Sequence, residues 1–321
     1  MKKISVRQAQ VEAIDEEMKR DSSVFVLGES VSTFAATGIF AGLVDKYGPK
    51  RVRNTAISET AILGGAIGAA VTGMRPIASL MSCDFMGVCG DELINQLQMR
   101  YMFGGKAKLP LTIVASSGAG VSGAAQHSKT LYGWFMSIKG LKLVVPSTPY
   151  DAKGLLKSAI REDNPVVMLA HKMVGRLTSE IPDEEYTIPL GKADIKREGS
   201  DVTVVAIEFM VHRALAAADK LQQKGISIEV IDPRTLVPLD KQTIINSVKK
   251  TGRLVIISEE PMTGSAAGEI SAIVAEEAFD FLDAPIKRIC APDTPVPFSP
   301  VLEKFWMPSE ERLIKAVTEI T

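Results

Sequence analysis

Short apolar runs, most of them alternating with segments of helical periodicity, constrain this chain more than any other feature. In the first part they fall at 24–27, 52–57, 76–80, 109–114, 141–145 and 165–169. Continuous runs this short read as strands buried on both faces. Their alternation with helices is the pattern of a parallel sheet covered on both sides. Residues 176–200 interrupt it: Glu180-Ile181-Pro182-Asp183-Glu184-Glu185 is charged and proline-bearing, as linkers are. Alternation then resumes, with strand-like runs at 202–207, 226–231, 254–257 and 286–289 and helical stretches at 210–224, 241–250 and 268–279. The predicted fold is α/β, two three-layer domains on parallel sheets, at 1–180 and 201–321, with a linker at 181–200.

Composition agrees and excludes several roles. Hydrophobic residues make up 46% of the 321 but aromatics only 6%, so the apolar mass is Ala, Val, Ile and Leu, which suits buried parallel strands. A net charge of −1 leaves no electrostatic case for nucleic acid or an anionic membrane. No apolar run approaches the ~20 residues that span a bilayer. The start, Met1-Lys2-Lys3-Ile4, leads into a helix pattern opened by the capping box Ser5-x-x-Gln8 rather than into a signal peptide. Cys83, Cys89 and Cys290 are odd in number and lack metal-ligand spacing, which reads as buried thiols in a reducing cytoplasm.

The chemistry is sought where strands end. The run at 109–114 is followed by Gly118-Ala119-Gly120-Val121-Ser122-Gly123-Ala124-Ala125-Gln126-His127-Ser128, a small-residue loop that leaves room for a ligand and delivers one of only three histidines. Its Gly118-x-Gly120-x-x-Gly123 matches the dinucleotide fingerprint. That motif also needs a helix opening at the glycines and an acid after the next strand, yet the run at 141–145 leads into Pro146-Ser147. A nicotinamide site is therefore disfavoured. Glu59 follows the run at 52–57 and precedes Leu63-Gly64-Gly65-Ala66-Ile67-Gly68, a helix predicted to be buried nearly all round. A glutamate there either complements the helix dipole from solvent or, at a buried mouth, moves protons. Glu29 is a second strand-end acid, and Phe85 is either core or a ring that stacks on a ligand. His171 could lie near the site, and His212 reads as a solvated helix residue. The segment 292–297 reads as a rigid interface tail. No Walker loop, serine hydrolase elbow, zinc signature or Gly-Asp-Gly diphosphate motif occurs.

Taken in order and spacing, Gly28-Glu29, Ile57-Ser58-Glu59, Gly73-Met74-Arg75-Pro76, Ala124-Ala125-Gln126-His127-Ser128, Val145-Pro146-Ser147-Thr148-Pro149, Val230-Ile231-Asp232-Pro233-Arg234 and Ala291-Pro292-Asp293-Thr294-Pro295 resemble the beta subunits of thiamine diphosphate-dependent 2-oxo acid dehydrogenase first components, within the transketolase-like group. Asp84-Phe85-Met86-Gly87-Val88-Cys89, Arg100-Tyr101-Met102-Phe103 and His171-Lys172-Met173 resemble the acetoin dehydrogenase branch. The resemblance covers essentially the whole chain. It implies a pyrimidine-binding domain and a transketolase C-terminal-like domain. Glu59 would hydrogen-bond the ring nitrogen of the cofactor's aminopyrimidine, Phe85 would pack on that ring, and Glu29 would be a further cofactor contact. His127 would assist proton transfer as an acyl group passes to a lipoyl carrier. Mg2+ and the diphosphate would be held by an alpha subunit in an α₂β₂ heterotetramer, in keeping with the missing Gly-Asp-Gly. Carbonyls of Leu111, Ala159, Glu162 and Asn164 would hold a monovalent cation such as K+. Pyruvate and branched-chain 2-oxo acid dehydrogenase subunits, and an idle partner subunit, are the alternatives. The chain departs from the family pattern at Ser30, at the glycine-poor loop 31–37, at Ser79, in the segment 95–101 and at Ser116-Ser117.

Overall fold

The computed structural model describes residues 1–32 and 38–321. Most of the loop 31–37 thus lies outside the described residues. The chain forms two compact units: Met1–Ser117 with Ser137–Leu190, and Gly118–Met136 with Gly191–Thr321. The glycine loop and His127 therefore belong to the second unit, although they follow a strand of the first. No helix among the described residues is long and apolar enough to cross a membrane.

The first unit opens with strand β1 (Lys2–Ser5) and helix α1 (Val6–Arg20). The expected capping box forms: Gln8 N donates to Ser5 Oγ at 3.2 Å, and Ser5 N to Gln8 Oε1 at 2.8 Å. There follow β2 (Val24–Glu29), β3 (Val52–Thr55), α2 (Glu59–Val71), β4 (Arg75–Ser82), β5 (Thr112–Ser117), β6 (Lys142–Val144), α3 (Pro149–Arg161), β7 (Val166–His171) and β8 (Thr178–Ile181). Six of these strands run parallel in the order β6-β7-β5-β4-β2-β3, while β8 pairs antiparallel with β1. The chain goes from β2 outward to β3 and returns to β4 on the other side of β2. That reversal is where parallel sheets bind ligands, at the carboxyl ends of the strands.

Helix α2 differs from its expectation. Ile62, Leu63, Ala66, Ile67 and Ala70 are buried, but Ala61, Gly65, Gly68 and Val71 form an exposed stripe. All-round apolarity in the sequence thus covers two faces, of which only one packs on this chain's own sheet. Helices α1 and α3 are joined by ion pairs the sequence pattern did not indicate. Lys153 and Lys157 have fully buried side chains. Lys153 donates to Glu16 at 2.7 Å and Glu12 at 3.1 Å, and Lys157 pairs with Glu16 and Glu17. Burial works against the Glu16 carboxylate, yet hydrogen bonds from both lysines hold it below its ordinary range.

The second unit is a five-stranded sheet in the order β13-β12-β10-β11-β9, built from β9 (Asp194–Arg197), β10 (Val202–Ala206), β11 (Ile228–Asp232), β12 (Leu254–Pro261) and β13 (Lys287–Ala291). All pairings are parallel except β9, which lies antiparallel on the edge of β11. Residues 194–197, read as part of the linker, are therefore sheet. Helices α4 (Met210–Gln222), α5 (Lys241–Thr251), α6 (Ala266–Glu277), α7 (Pro300–Trp306) and α8 (Glu310–Thr318) complete the unit. The core on one face joins α4 and α8 to the sheet through Val204, Val211, Ala214, Val230, Leu313 and Val317.

Candidate functional site

In the first unit, three of the predicted residues gather at the carboxyl edge of three adjacent strands. Glu29 is the last residue of β2. Gly28 before it has φ +154°, and a Cβ there would lie 2.6 Å from the Ser79 carbonyl oxygen of β4, so only glycine permits this approach. Beyond Glu29 the chain is tied to β3, because Ser32 N donates to Asn54 Oδ1 at 2.9 Å. Glu59 is the first residue of α2, after β3. Its N-cap is Ser58, whose Oγ accepts from Ala61 N at 3.4 Å. The helix dipole favours a carboxylate there. Phe85 sits in the short 3-10 turn Cys83–Gly87 that follows β4. Thr60 Oγ1 donates to Val88 O at 3.2 Å and Val88 N to Phe85 O at 3.0 Å, which fixes the start of α2 to the turn carrying the ring.

Glu29, Glu59 and Phe85 are half-buried. Among the described residues neither carboxylate meets a hydrogen-bond or ion-pair partner, so both keep their acceptor capacity for something outside the chain. The nearby Cys89 thiol is pushed up to about 12, by burial first and then by the charges of Glu92 and Glu59. Ser79, one of the departures from the family pattern, is buried with its hydroxyl unpartnered.

The four carbonyls expected to bind a cation lie around the start of β5, the end of α3 and the turn before β7. Leu111 O already accepts from Val166 N at 2.9 Å and Ala159 O from Glu162 N at 3.2 Å. Glu162 O accepts from the Arg75 guanidinium at 3.1 Å. Each carbonyl oxygen retains a second lone pair. A fixed positive charge on Glu162 O, however, opposes a second cation at that ligand.

His171 does not join the site. It is buried at the end of β7 and its Nδ1 accepts from Met173 N at 3.1 Å, which makes it a packed and satisfied histidine. His212 is half-buried rather than solvated, its ring 6.2 Å from that of Phe209.

His127 lies in the second unit, exposed, in the loop that begins at Gly118. No helix opens at Gly118, Gly120 or Gly123; the next helix starts at Tyr132. The dinucleotide geometry is therefore absent, as the missing acid indicated. The loop is organised by carboxylates that sequence reasoning did not single out. Glu303 of α7, itself buried, accepts from Gly120 N at 2.9 Å and from Ser122 N at 2.9 and 3.2 Å. Glu259 accepts from Ala119 N at 2.7 Å, and Glu260 from Gly133 N at 2.7 Å and Ala266 N at 2.8 Å. Tyr132 donates to Glu208, and both are fully buried. Burial, followed by the charges of Glu208, Glu259 and Glu260, holds the Tyr132 hydroxyl well above its ordinary range. Burial also raises Glu260, to about 7, against the backbone donors that pull the other way. Glu259 and Glu260 are the last two residues of β12 before Pro261, in a strand that runs four residues past its predicted end. An acid close after a strand run was the one signal that could have found them. Glu303 had no such signal, because its partners lie in a distant loop.

Comparison with known proteins gives the following. Residues 2–177 match the transketolase pyrimidine-binding domain family, and residues 191–313 match the transketolase C-terminal domain family. The chain is 50% identical to the beta subunit of acetoin:2,6-dichlorophenolindophenol oxidoreductase of Bacillus subtilis, over 99% of this chain and 97% of the relative. It is 49% identical to the subunit of the same description in Cupriavidus necator, over 98% and 96% of the two chains. With the 2-oxoisovalerate dehydrogenase beta subunit of Bacillus subtilis the identity is 44%, over 96% and 95%. Among solved structures, a split-gene transketolase described as an inactive beta4 tetramer superposes with a TM-score of 0.83, at 23% identity, over 99% of this chain and 98% of that one.

Proposed function

Because this chain belongs to the family of dehydrogenase beta subunits built from transketolase pyrimidine-binding and C-terminal domains, we propose that it is the beta subunit of a thiamine diphosphate-dependent acetoin or 2-oxo acid dehydrogenase first component. It cleaves a carbon–carbon bond next to a carbonyl and passes the acyl group to a lipoyl-bearing acyltransferase. The observation that carries this reading is the Glu59 carboxylate, unpartnered among the described residues at the first position of α2, beside Phe85 and Glu29 at a sheet reversal. Roughly 50% identity to acetoin oxidoreductase beta subunits favours acetoin as the substrate. Pyruvate and branched-chain 2-oxo acids are the alternatives.

The residues fit the cofactor. Bound thiamine diphosphate supplies an electron sink for breaking a bond next to a carbonyl, chemistry that no protein side chain provides. Glu59 would hydrogen-bond the aminopyrimidine ring nitrogen, and the Phe85 ring would pack on the pyrimidine face. Glu29 adds a polar contact. The exposed imidazole of His127 would hold and return a proton. The chain lacks a Gly-Asp-Gly motif, so Mg2+ and the diphosphate are assigned to an alpha subunit in an α₂β₂ heterotetramer, working in the cytoplasm. A K+ at the carbonyls of Leu111, Ala159, Glu162 and Asn164 is the weakest fit, given Arg75 on Glu162 O.

Calorimetric titration of thiamine diphosphate with Mg2+ tests the reading, on the chain alone and on the chain co-expressed with its alpha subunit. Binding only in the co-expressed sample, abolished by Glu59→Ala, is the expected result. Tight binding to the chain alone refutes the shared site. Absence of binding in a verified complex leaves an idle partner subunit as the answer. Turnover of acetoin, pyruvate and branched 2-oxo acids with an artificial electron acceptor then identifies the substrate.

A further inference from the structure

Strand β4 is irregular at its carboxyl end, directly before the turn that carries Phe85. Its pairing with β2 is regular as far as Gly28 opposite Ser79. Against β5 the register then shifts: Ser79 faces Val114 and Ser82 faces Ser116, three steps along β4 for two along β5. That is a β-bulge, an insertion that bends a strand and re-aims the residues beyond it. Within it Met81 stands at φ +54°, in the left-handed region that few residues other than glycine, asparagine and aspartate enter. Methionine has no short polar group to bond its own backbone there, so the conformation persists only where the surroundings hold it.

The neighbour that holds it is Ser116 of β5, whose Oγ donates to Met81 O at 2.8 Å. Past the bulge, Ser82 Oγ donates to Asp84 Oδ2 at 2.7 Å, which helps fold the chain into the Cys83–Gly87 turn. The far side of that turn is tied to Thr60 through Val88. The Phe85 ring thus hangs on a turn fixed at both ends, by the start of α2 on one side and by Ser116 on the other. Ser116 is also a position at which the chain departs from the family pattern, so its hydroxyl is not a feature that the pattern supplies.

We propose that Ser116 is a positioning residue: its bond to Met81 O holds the bulge and thereby sets where the Phe85 ring stands, and with it the affinity for the cofactor's pyrimidine. The inference rests on the assignment of Phe85 to the pyrimidine face under the proposed function. Ser116 acts through the backbone of β4, by keeping a strained residue in place. Once that residue relaxes, the turn that follows it moves as well. Aromatic rings gain their contact only in offset or edge-to-face arrangements with centroids about 4.5–7 Å apart, so a displaced ring binds more weakly.

The test labels the full chain with 4-fluorophenylalanine; the Phe85 ¹⁹F resonance is the one that disappears in Phe85→Leu. Ser116→Ala is expected to shift that resonance while those of the second unit stay in place, and Ser116→Thr, which keeps the hydroxyl, to restore it. Calorimetry of thiamine diphosphate with Mg2+ follows, on the chain co-expressed with its alpha subunit. Kd is expected to rise about two- to tenfold in Ser116→Ala, the worth of one hydrogen bond, and to recover in Ser116→Thr. An unmoved Phe85 resonance in Ser116→Ala overturns the proposal, as does a change that Ser116→Thr does not reverse. So does an unchanged Kd in Ser116→Ala where Phe85→Leu weakens binding. An unchanged Kd in Phe85→Leu, or no binding to the wild-type complex, refutes the cofactor reading itself, and the proposal falls with it.

Discussion

Replacing Glu303 with alanine should release the loop that carries His127. The carboxylate accepts from Gly120 N at 2.9 Å and from Ser122 N at 2.9 and 3.2 Å, from a side chain that is 3% exposed. A hydrogen bond to a charged group contributes about 1.5–3 kcal/mol. Gly120 and Ser122 are half-buried, so water partly replaces the lost acceptor and the lower figure applies to each. Two donors then give about 3 kcal/mol for local opening, roughly a hundredfold in the opening equilibrium. Hydrogen exchange resolved to the amides of Gly120 and Ser122 measures this directly, and should quicken by about that factor while amides of β4 and β5 stay unchanged. Glu303→Gln keeps one acceptor oxygen but turns an amide N–H toward the other donor, so it should show roughly half the effect in free energy. Exchange in Glu303→Ala within threefold of wild type would refute the reasoning. The loop would then be held by its own turns and by Glu259.

Three further expectations follow from the same geometry. Gly133→Ala places a methyl 1.8 Å from the Gly264 carbonyl oxygen, a backbone atom that cannot rotate away. It should destabilise the second unit by about 3 kcal/mol, the upper end of overpacking costs, and a thermal midpoint equal to wild type would count against the packing described. The folded state raises the Glu260 carboxyl from 4.5 to about 7, so between those values it binds more protons than the unfolded chain. Stability from this group therefore falls as pH rises through that window, by about 3 kcal/mol in total. Urea titrations between pH 5 and 8 should show this fall, and show less of it in Glu260→Gln. Burial pushes the Cys89 thiol up to about 12 and Cys290 to about 11. Neither should be alkylated at pH 8 in the native protein, and both should react in urea; mass spectrometry of native cysteines labelled within minutes would contradict their burial.

Much of the fold was legible because its signals are local. Short Val- and Ile-rich runs specify buried parallel strands, and Ser5-x-x-Gln8 specifies a helix start that the structure reproduces atom for atom. Strand-end positions were equally readable, so the expectation that Glu29, Glu59 and Phe85 follow strand ends needed no coordinates. Their convergence on adjacent strands was not legible, because the order β3-β2-β4 depends on which way the chain turns after each helix. The exposed stripe of α2 was also hidden, since apolarity records a tendency to be buried but not the partner that does the burying.

The rest was decided by the tertiary structure, where charges are compensated over long sequence distances. Nothing near Lys153 or Lys157 in the sequence reveals that α1 supplies their carboxylates, 137 and 141 positions away. Nothing near Gly120 announces Glu303, 183 positions on. By itself the sequence determined two α/β domains and which residues stand at strand ends, because hydrophobic period and turn chemistry act within a few residues. Only the folded chain decided that the His127 loop joins the second unit and is held there by buried acids. A carboxylate is tolerated in the interior when its partners arrive, and they arrive from wherever the fold brings them.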